Sequence, residues 1–216
     1  MGVAEFFLSA CTDAAFIPVL FQVAQRRRHF ELFVGILQLT STFMYNCSSA
    51  LGTSLFIHGI QWHFISDVLT LTYVCCLLVH CAGGHDENIN ICLRYISFTC
   101  AWIFKYRDSW DSAVWETLLI SIYVAMAIYG YVSQDVNRKK QYDSGSLQIG
   151  GGIMVFGGVF LLLDFANLKD SFGLLDGCMH VAGAGAAFFM WKAVPTFDSK
   201  KNDDLPSRIS TSTMFV

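Results

Sequence analysis

The stretch LLDGCMHVAGAGAA, residues 174–187, sets an aspartate and a histidine four positions apart at the head of a run of tiny residues. On a helix, residues i and i+4 are neighbours, so Asp176 and His180 share one face. Apart from that pair the segment is apolar enough to enter a membrane, where an ionisable group at mid-helix costs about 2.5–3.5 kcal/mol on insertion scales. A carboxylate and an imidazole at that depth need a reason, and the rest of the chain supplies its terms.

The 216 residues are 54% hydrophobic and 14% charged, with a mean hydropathy of +0.48. Soluble domains carry about 25% charged residues. That deficit, with only three prolines, points to a polytopic membrane protein with little loop material. A net charge of −3 argues against a nucleic-acid partner, which calls for a basic stripe. No basic region precedes the first apolar run, so that run is expected to be a retained span, not a cleaved signal.

The eight cysteines show no CxxC pair and no framework. Cys11, Cys75, Cys76, Cys81, Cys92 and Cys100 fall within or at the ends of apolar segments, as small packing residues do. Cys75, Cys76 and Cys81, near one span end, leave reversible acylation as an alternative, and a Cys47–Cys178 disulfide is another.

A helix needs about 20 mostly apolar residues to cross the hydrocarbon. That rule divides the chain into seven expected spans: 3–24, 30–49, 63–82, 89–105, 113–133, 148–168 and 172–193. The expected fold is an all-α bundle of seven transmembrane helices over residues 1–195. Residues 196–216 are polar, mixed in charge and Ser/Thr-rich, and read as a disordered tail. QRRRH, NRKK and the lysines and arginine after the seventh span put ten basic residues on one side; Lys105, Arg107 and Lys169 make three on the other. The positive-inside rule then sets the N-terminus outside and the tail in the cytosol. GGGIMVFGG and AGAGAA are read as small-residue packing surfaces between helices.

In that orientation three spans deliver polar groups to one level near the outer leaflet. The second ends with Ser41, Thr42, Tyr45, Asn46, Ser48 and Ser49; the third begins with His63, Ser66 and Asp67; the seventh begins with Asp176 and His180. The plainer reading is interhelical hydrogen bonding. The alternative is a metal or acid/base site open to the outer surface.

From residue 14 to about 193, the chain resembles the transmembrane protein 8/myomaker family. That family belongs to the CREST superfamily of seven-span proteins, which includes the alkaline ceramidases. The matching pieces occur in order: AAFIPVLFQVAQRRRHFELFV, STFMYNCSS, ISDVL, FKYRDSWDS, RKKQYDSGSLQIGGG and LLDGCMHVAGAGAA. The resemblance implies a zinc-dependent lipid hydrolase architecture. In it, a histidine ending the second span and a His-x-x-x-His pair on the seventh hold the metal, and an Asp on the third span and a Ser on the second complete the site. Three protein ligands leave zinc an open position for water, whose pKa falls to about 7.

Here Asn46 stands at the second-span histidine position and Asp176 at the first histidine of the pair, while His180 and Asp67 match. Ser41 or Thr42 stands at the serine position. The implied metal set is His180, Asp176 and Asn46, and the implied catalytic set is Asp67 with Ser41 or Thr42. An Asn amide is a poor zinc ligand, so zinc would be held weakly. His58 or His63 could supply another imidazole.

The expected function is that of a multi-pass integral membrane protein of the plasma membrane or endomembrane system. Its divergent metal-hydrolase-type site would face the outer leaflet and act on or among membrane lipids. Two alternatives stand beside it: an active metal-dependent lipid hydrolase, ceramidase- or phospholipase-like, and a non-catalytic protein of cell-surface remodelling or fusion. A receptor of the superfamily would have the opposite orientation.

Overall fold

The computed structural model describes residues 3–84, 86–107, 114–165 and 174–195; side chains are described for 6–84, 86–107, 114–137, 139–159 and 177–195. The described residues form nine helices and no strand, with one isolated bridge between Leu55 and Ile57. In chain order they are α1 (Val3–Ala14), α2 (Ile17–Gln25), α3 (His29–Leu51), α4 (Gly59–Ala82), α5 (Glu87–Arg107), α6 (Val114–Ser133), α7 (Val136–Lys139), α8 (Ser144–Phe165) and α9 (Leu174–Ala193). Each of the seven apolar stretches is helical over its described residues, apart from a break at 15–16 in the first. The expected tail, 196–216, lies outside the described residues.

Local chemistry accounts for the boundaries. The first stretch breaks into two helices because Pro18 lacks an N–H and its ring crowds the carbonyl four residues back. At the break the backbone tightens, with Ala15 N–H on the Thr12 carbonyl at 3.2 Å and Phe16 N–H on that of Asp13 at 3.0 Å. Asp13 therefore sits in the last turn of α1. Helices α3 and α4 each end on a left-handed glycine, Gly52 (φ 63°) and Gly83 (φ 64°). His58 caps the start of α4 in a reciprocal pair with Gln61.

Helix α4 is the central element, packed against α3, α5, α6 and α9. From Val68 to Cys81 nearly all its side chains are buried, whichever way they point. The other extensive pairing is α8 with α9. All eight cysteines are free thiols. Cys75, Cys76 and Cys81 are buried in the α4 core, so they pack as expected and the acylation alternative loses its access. Cys47 and Cys178 form no disulfide.

The polarity is distributed inside-out. Glu31, Asn46, Thr72, His80, Asn90 and Ser97 are buried, whereas Phe7, Phe21, Phe33, Phe43, Val155 and Phe156 are exposed on helix faces. Water would penalise so much exposed apolar surface, and hydrocarbon would not. Three described segments are long and apolar enough to cross a bilayer: Phe6–Gln25, Gly59–Ala82 and Val114–Ser133. Such helices are compatible with an integral membrane protein. Helix α5 carries Glu87, Arg94, Lys105 and Arg107, and turns Arg94 inward onto Glu31 at 3.0 Å and Glu87 at 2.8 Å.

Candidate functional site

A cavity of about 350 Å³ opens between α1, α3, α4 and α9. Its floor is apolar, formed by Phe16, Leu77, Ala187 and the ring of Tyr73. Its polar groups come in three sets.

The first joins three helices. Asp13 Oδ1 lies 2.8 Å from His180 Nδ1, and its Oδ2 accepts a hydrogen bond from Asn46 Nδ2 at 2.8 Å. A carboxylate only accepts, so the Asn46 amide must present its NH₂ here and the His180 ring its Nδ1–H. Asn46 is 3% exposed and the Asp13 side chain 9%, whereas the His180 side chain is 38% exposed, which gives the imidazole its access.

The second set is a hydroxyl pair, Thr42 Oγ1 with Ser66 Oγ at 2.6 Å, and Gln38 Nε2 donates to the same Thr42 oxygen at 3.2 Å. The third is acidic. Asp67 Oδ2 meets His63 Nδ1 at 3.1 Å and Lys105 Nζ at 2.8 Å, and Lys105 also reaches Glu116 at 2.7 Å. Lys105 thus ties α4 to α5 and α6. The cavity therefore holds two carboxylate–imidazole pairs, Asp13–His180 and Asp67–His63, with two hydroxyls on the same wall system.

The structure brings Asn46, His180, Asp67 and Thr42 to one cavity. Ser41 is buried but is not part of the lining: its hydroxyl donates to the Leu37 carbonyl of its own helix at 2.8 Å. One residue of register on a helix is a rotation of about 100°, and it selects Thr42 over Ser41. His63 lines the cavity, while His58 is spent on the α4 cap. The Asp176 side chain lies outside the described residues.

Sequence reasoning missed Asp13, the hub of the first set. The available signal was a carboxylate in the middle of an apolar run, which by itself marks a functional candidate.

For a metal, the donors on the described side chains are few. No three of their His, Cys, Asp and Glu side chains form a group that could hold an ion. Asp13 and His180 are suitable donors, and Asn46 turns its NH₂ toward Asp13. This donor chemistry suits weak binding.

No curated protein matches the chain. A family model does match, over residues 1–181, a stretch that includes Asp13, Asn46, Asp67 and His180. The chain belongs to the family described as "Protein of unknown function (DUF3522)".

Proposed function

We propose that this chain is a seven-span membrane protein, N-terminus outside and tail cytosolic, related to the transmembrane protein 8/myomaker family, and that its cavity is a hydrolase-type site for membrane lipids entered from the outer leaflet. The observation that carries this reading is the pair of carboxylate–imidazole couples lining one cavity above an apolar floor. An apolar floor suits an acyl chain, and the polar wall suits the ester or amide at its head.

Asp13 holds His180 in one tautomer, so the imidazole is set to take a proton from water as the water oxygen attacks the carbonyl carbon. The same proton then passes to the departing oxygen or nitrogen as the carbonyl–heteroatom bond breaks. The Ser66 hydroxyl can turn from Thr42, whose own proton is held by the Gln38 carbonyl, to donate to the carbonyl oxygen, and Asp67 can orient the water. Zinc belongs to this proposal as an alternative state, in which His180 Nε2 would hold the ion weakly instead of acting as the base, and the ion would make water more acidic.

A second reading is favoured by one observation. Both oxygens of Asp13 are taken by protein donors, as in a pin that simply joins α1, α3 and α9. That arrangement suits a non-catalytic protein of surface remodelling.

The test uses purified full-length chain, assayed on fluorescent acyl-ester and acyl-amide lipids, with metal content measured in parallel. Hydrolysis that drops about 10²–10⁴-fold in a still-folded His180→Ala variant supports the site. A folded, monodisperse wild type that cleaves none of these lipids and carries no metal refutes it and leaves the pin.

A further inference from the structure

The three candidate spans converge at one end of the molecule, finishing at Gln25, Ala82 and Ser133. Side chains hold this end together: Arg28 Nη1 lies 2.8 Å from His80 Nδ1, and Gln134 Nε2 donates to the Ala82 carbonyl at 2.8 Å. With these three helices spanning, a membrane boundary falls just beyond their ends.

The segment Arg26–Arg27–Arg28 crosses that boundary, and its three guanidiniums do different things. Arg26 caps the end of α9, donating to the Lys192 carbonyl at 2.9 Å and to that of Val194. Arg28 is buried against His80 and the Trp191 ring. Arg27 is exposed, and its side chain makes no hydrogen bond or ion pair among the described residues. It also has φ 55°, a left-handed conformation that glycine or asparagine adopts far more readily than arginine. A strained arginine whose head group meets no partner among the described residues points to a ligand.

Two further exposed cations stand at the same end, beside the half-buried Lys139, which donates to the Val132 carbonyl at 2.7 Å. Arg26 reaches the backbone of Lys192, and the Asp143 N–H bonds the Ala193 carbonyl at 3.2 Å, which brings the segment following Lys140 to the same helix end. Lys140 and Lys192 are both exposed. Of the acids nearby, Asp143 and Asp86 accept from backbone N–H groups at helix starts, and Glu87 pairs with Arg94. Asp135 and Asp143 remain as exposed negative neighbours, and Asp143 faces Lys192.

We propose that Arg27, flanked by Lys140 and Lys192, is a docking site for the phosphate headgroups of anionic lipids in the adjoining leaflet. A guanidinium matches a phosphate with two parallel N–H donors, and the lysines add unspecific attraction. This site requires only that the three helices span; it is independent of the chemistry at the cavity.

The test measures lipid retained by the purified full-length chain in mixed micelles, by native mass spectrometry. The probes are phosphatidylcholine, phosphatidylserine, phosphatidylinositol bisphosphate and water-soluble inositol trisphosphate. Arg27→Gly removes the guanidinium while relieving the left-handed strain, so folding survives, as an unchanged or raised melting temperature will show. Anionic lipid should be retained over phosphatidylcholine. Affinity should fall about five-fold in Arg27→Gly and about a hundred-fold when Lys140→Ala and Lys192→Ala are added, and should weaken with salt. Equal retention of phosphatidylcholine, wild-type affinity in Arg27→Gly, or equally tight binding of the soluble inositol phosphate would each overturn the proposal.

Discussion

Asp13 is the residue on which the cavity turns, because one carboxylate holds donors from two other helices, Asn46 on α3 and His180 on α9. Removing it leaves two donors without an acceptor in a largely buried wall. Interhelical hydrogen bonds in membranes average about 0.6 kcal/mol, and an orphaned donor costs about 1–3 kcal/mol. Asp13→Asn keeps one acceptor but turns an NH₂ toward another donor, so it should lose about 1 kcal/mol. Asp13→Ala, losing both bonds, should lose about 2 kcal/mol or more. Thermal unfolding in detergent should rank wild type above Asp13→Asn and Asp13→Ala last; an unchanged midpoint in Asp13→Ala would show that the contacts carry no stability.

At the scale of the element, glycines separate into those at helix crossings and those in open space. A Cβ on Gly130 of α6 would stand 2.6 Å from the Ala82 carbonyl oxygen and 2.9 Å from its Cβ, so α4 and α6 touch backbone to backbone there. In the GGGIMVFGG run, Gly150 meets Met190 and Ala186 and Gly157 meets Ala182, but Gly151, Gly152 and Gly158 face no described atom within 4 Å. The run thus packs α8 onto α9 through one side only. Gly130→Ala should destabilise by about 1–3 kcal/mol by forcing the helices apart. Gly151→Ala should be neutral or gain about 0.5–1 kcal/mol from helix propensity. Chemical denaturation of the two variants side by side checks the contrast.

The start of α8 carries a pH-dependent cap. Asp143 accepts from the Ser146 hydroxyl at 2.6 Å and from the Gly145 and Ser146 N–H groups, and these bonds, the hydroxyl foremost, hold its pKa below the ordinary aspartate value. A folded-state pKa below the unfolded one means a contribution fully present above the unfolded value of about 3.9 and lost as pH falls through the lowered one. Asp143→Ala should therefore melt lower than wild type above about pH 5, and the two should converge as pH falls through the lowered pKa. A difference that persists unchanged into acid would assign the effect to something other than this carboxylate.

Across the whole molecule, a second buried charge cluster ties the helices at the end away from the cavity. Glu31, 1% exposed, takes His80 Nε2 at 2.6 Å and Arg94 Nη1 at 3.0 Å on one oxygen, while Arg28 meets His80 from the other side. Burial lowers the pKa of Arg28, and the Glu31 carboxylate opposes that shift. Breaking a buried pair leaves an uncompensated charge and costs about 3–5 kcal/mol, whereas an exposed pair contributes about 0–1 kcal/mol. Glu31→Ala should collapse the yield of folded protein, and Glu87→Ala, whose side chain is 41% exposed, should be tolerated. Comparing monodisperse yields after extraction decides this, and equal yields would show the cluster to be dispensable.

What the chain wrote locally could be read locally. Apolar runs placed the helices, Pro18 and the two left-handed glycines follow ordinary rules for breaks and ends, and the basic residues after the first and fifth stretches mark one end of the bundle. These features depend on neighbours within about one helical turn, which a sequence shows directly. The partnerships did not. Asn46 stands 33 residues from Asp13, His80 stands 49 from Glu31 and Arg94 stands 63 from it. Nothing in the intervening chain states which side chain faces which. The choice of Thr42 over Ser41 was equally hidden, because both are small hydroxyl residues and only the rotation of α3 against α4 puts one of them at the cavity wall. Through-space pairing across packed helices, set by azimuth and axial shift, decided the site.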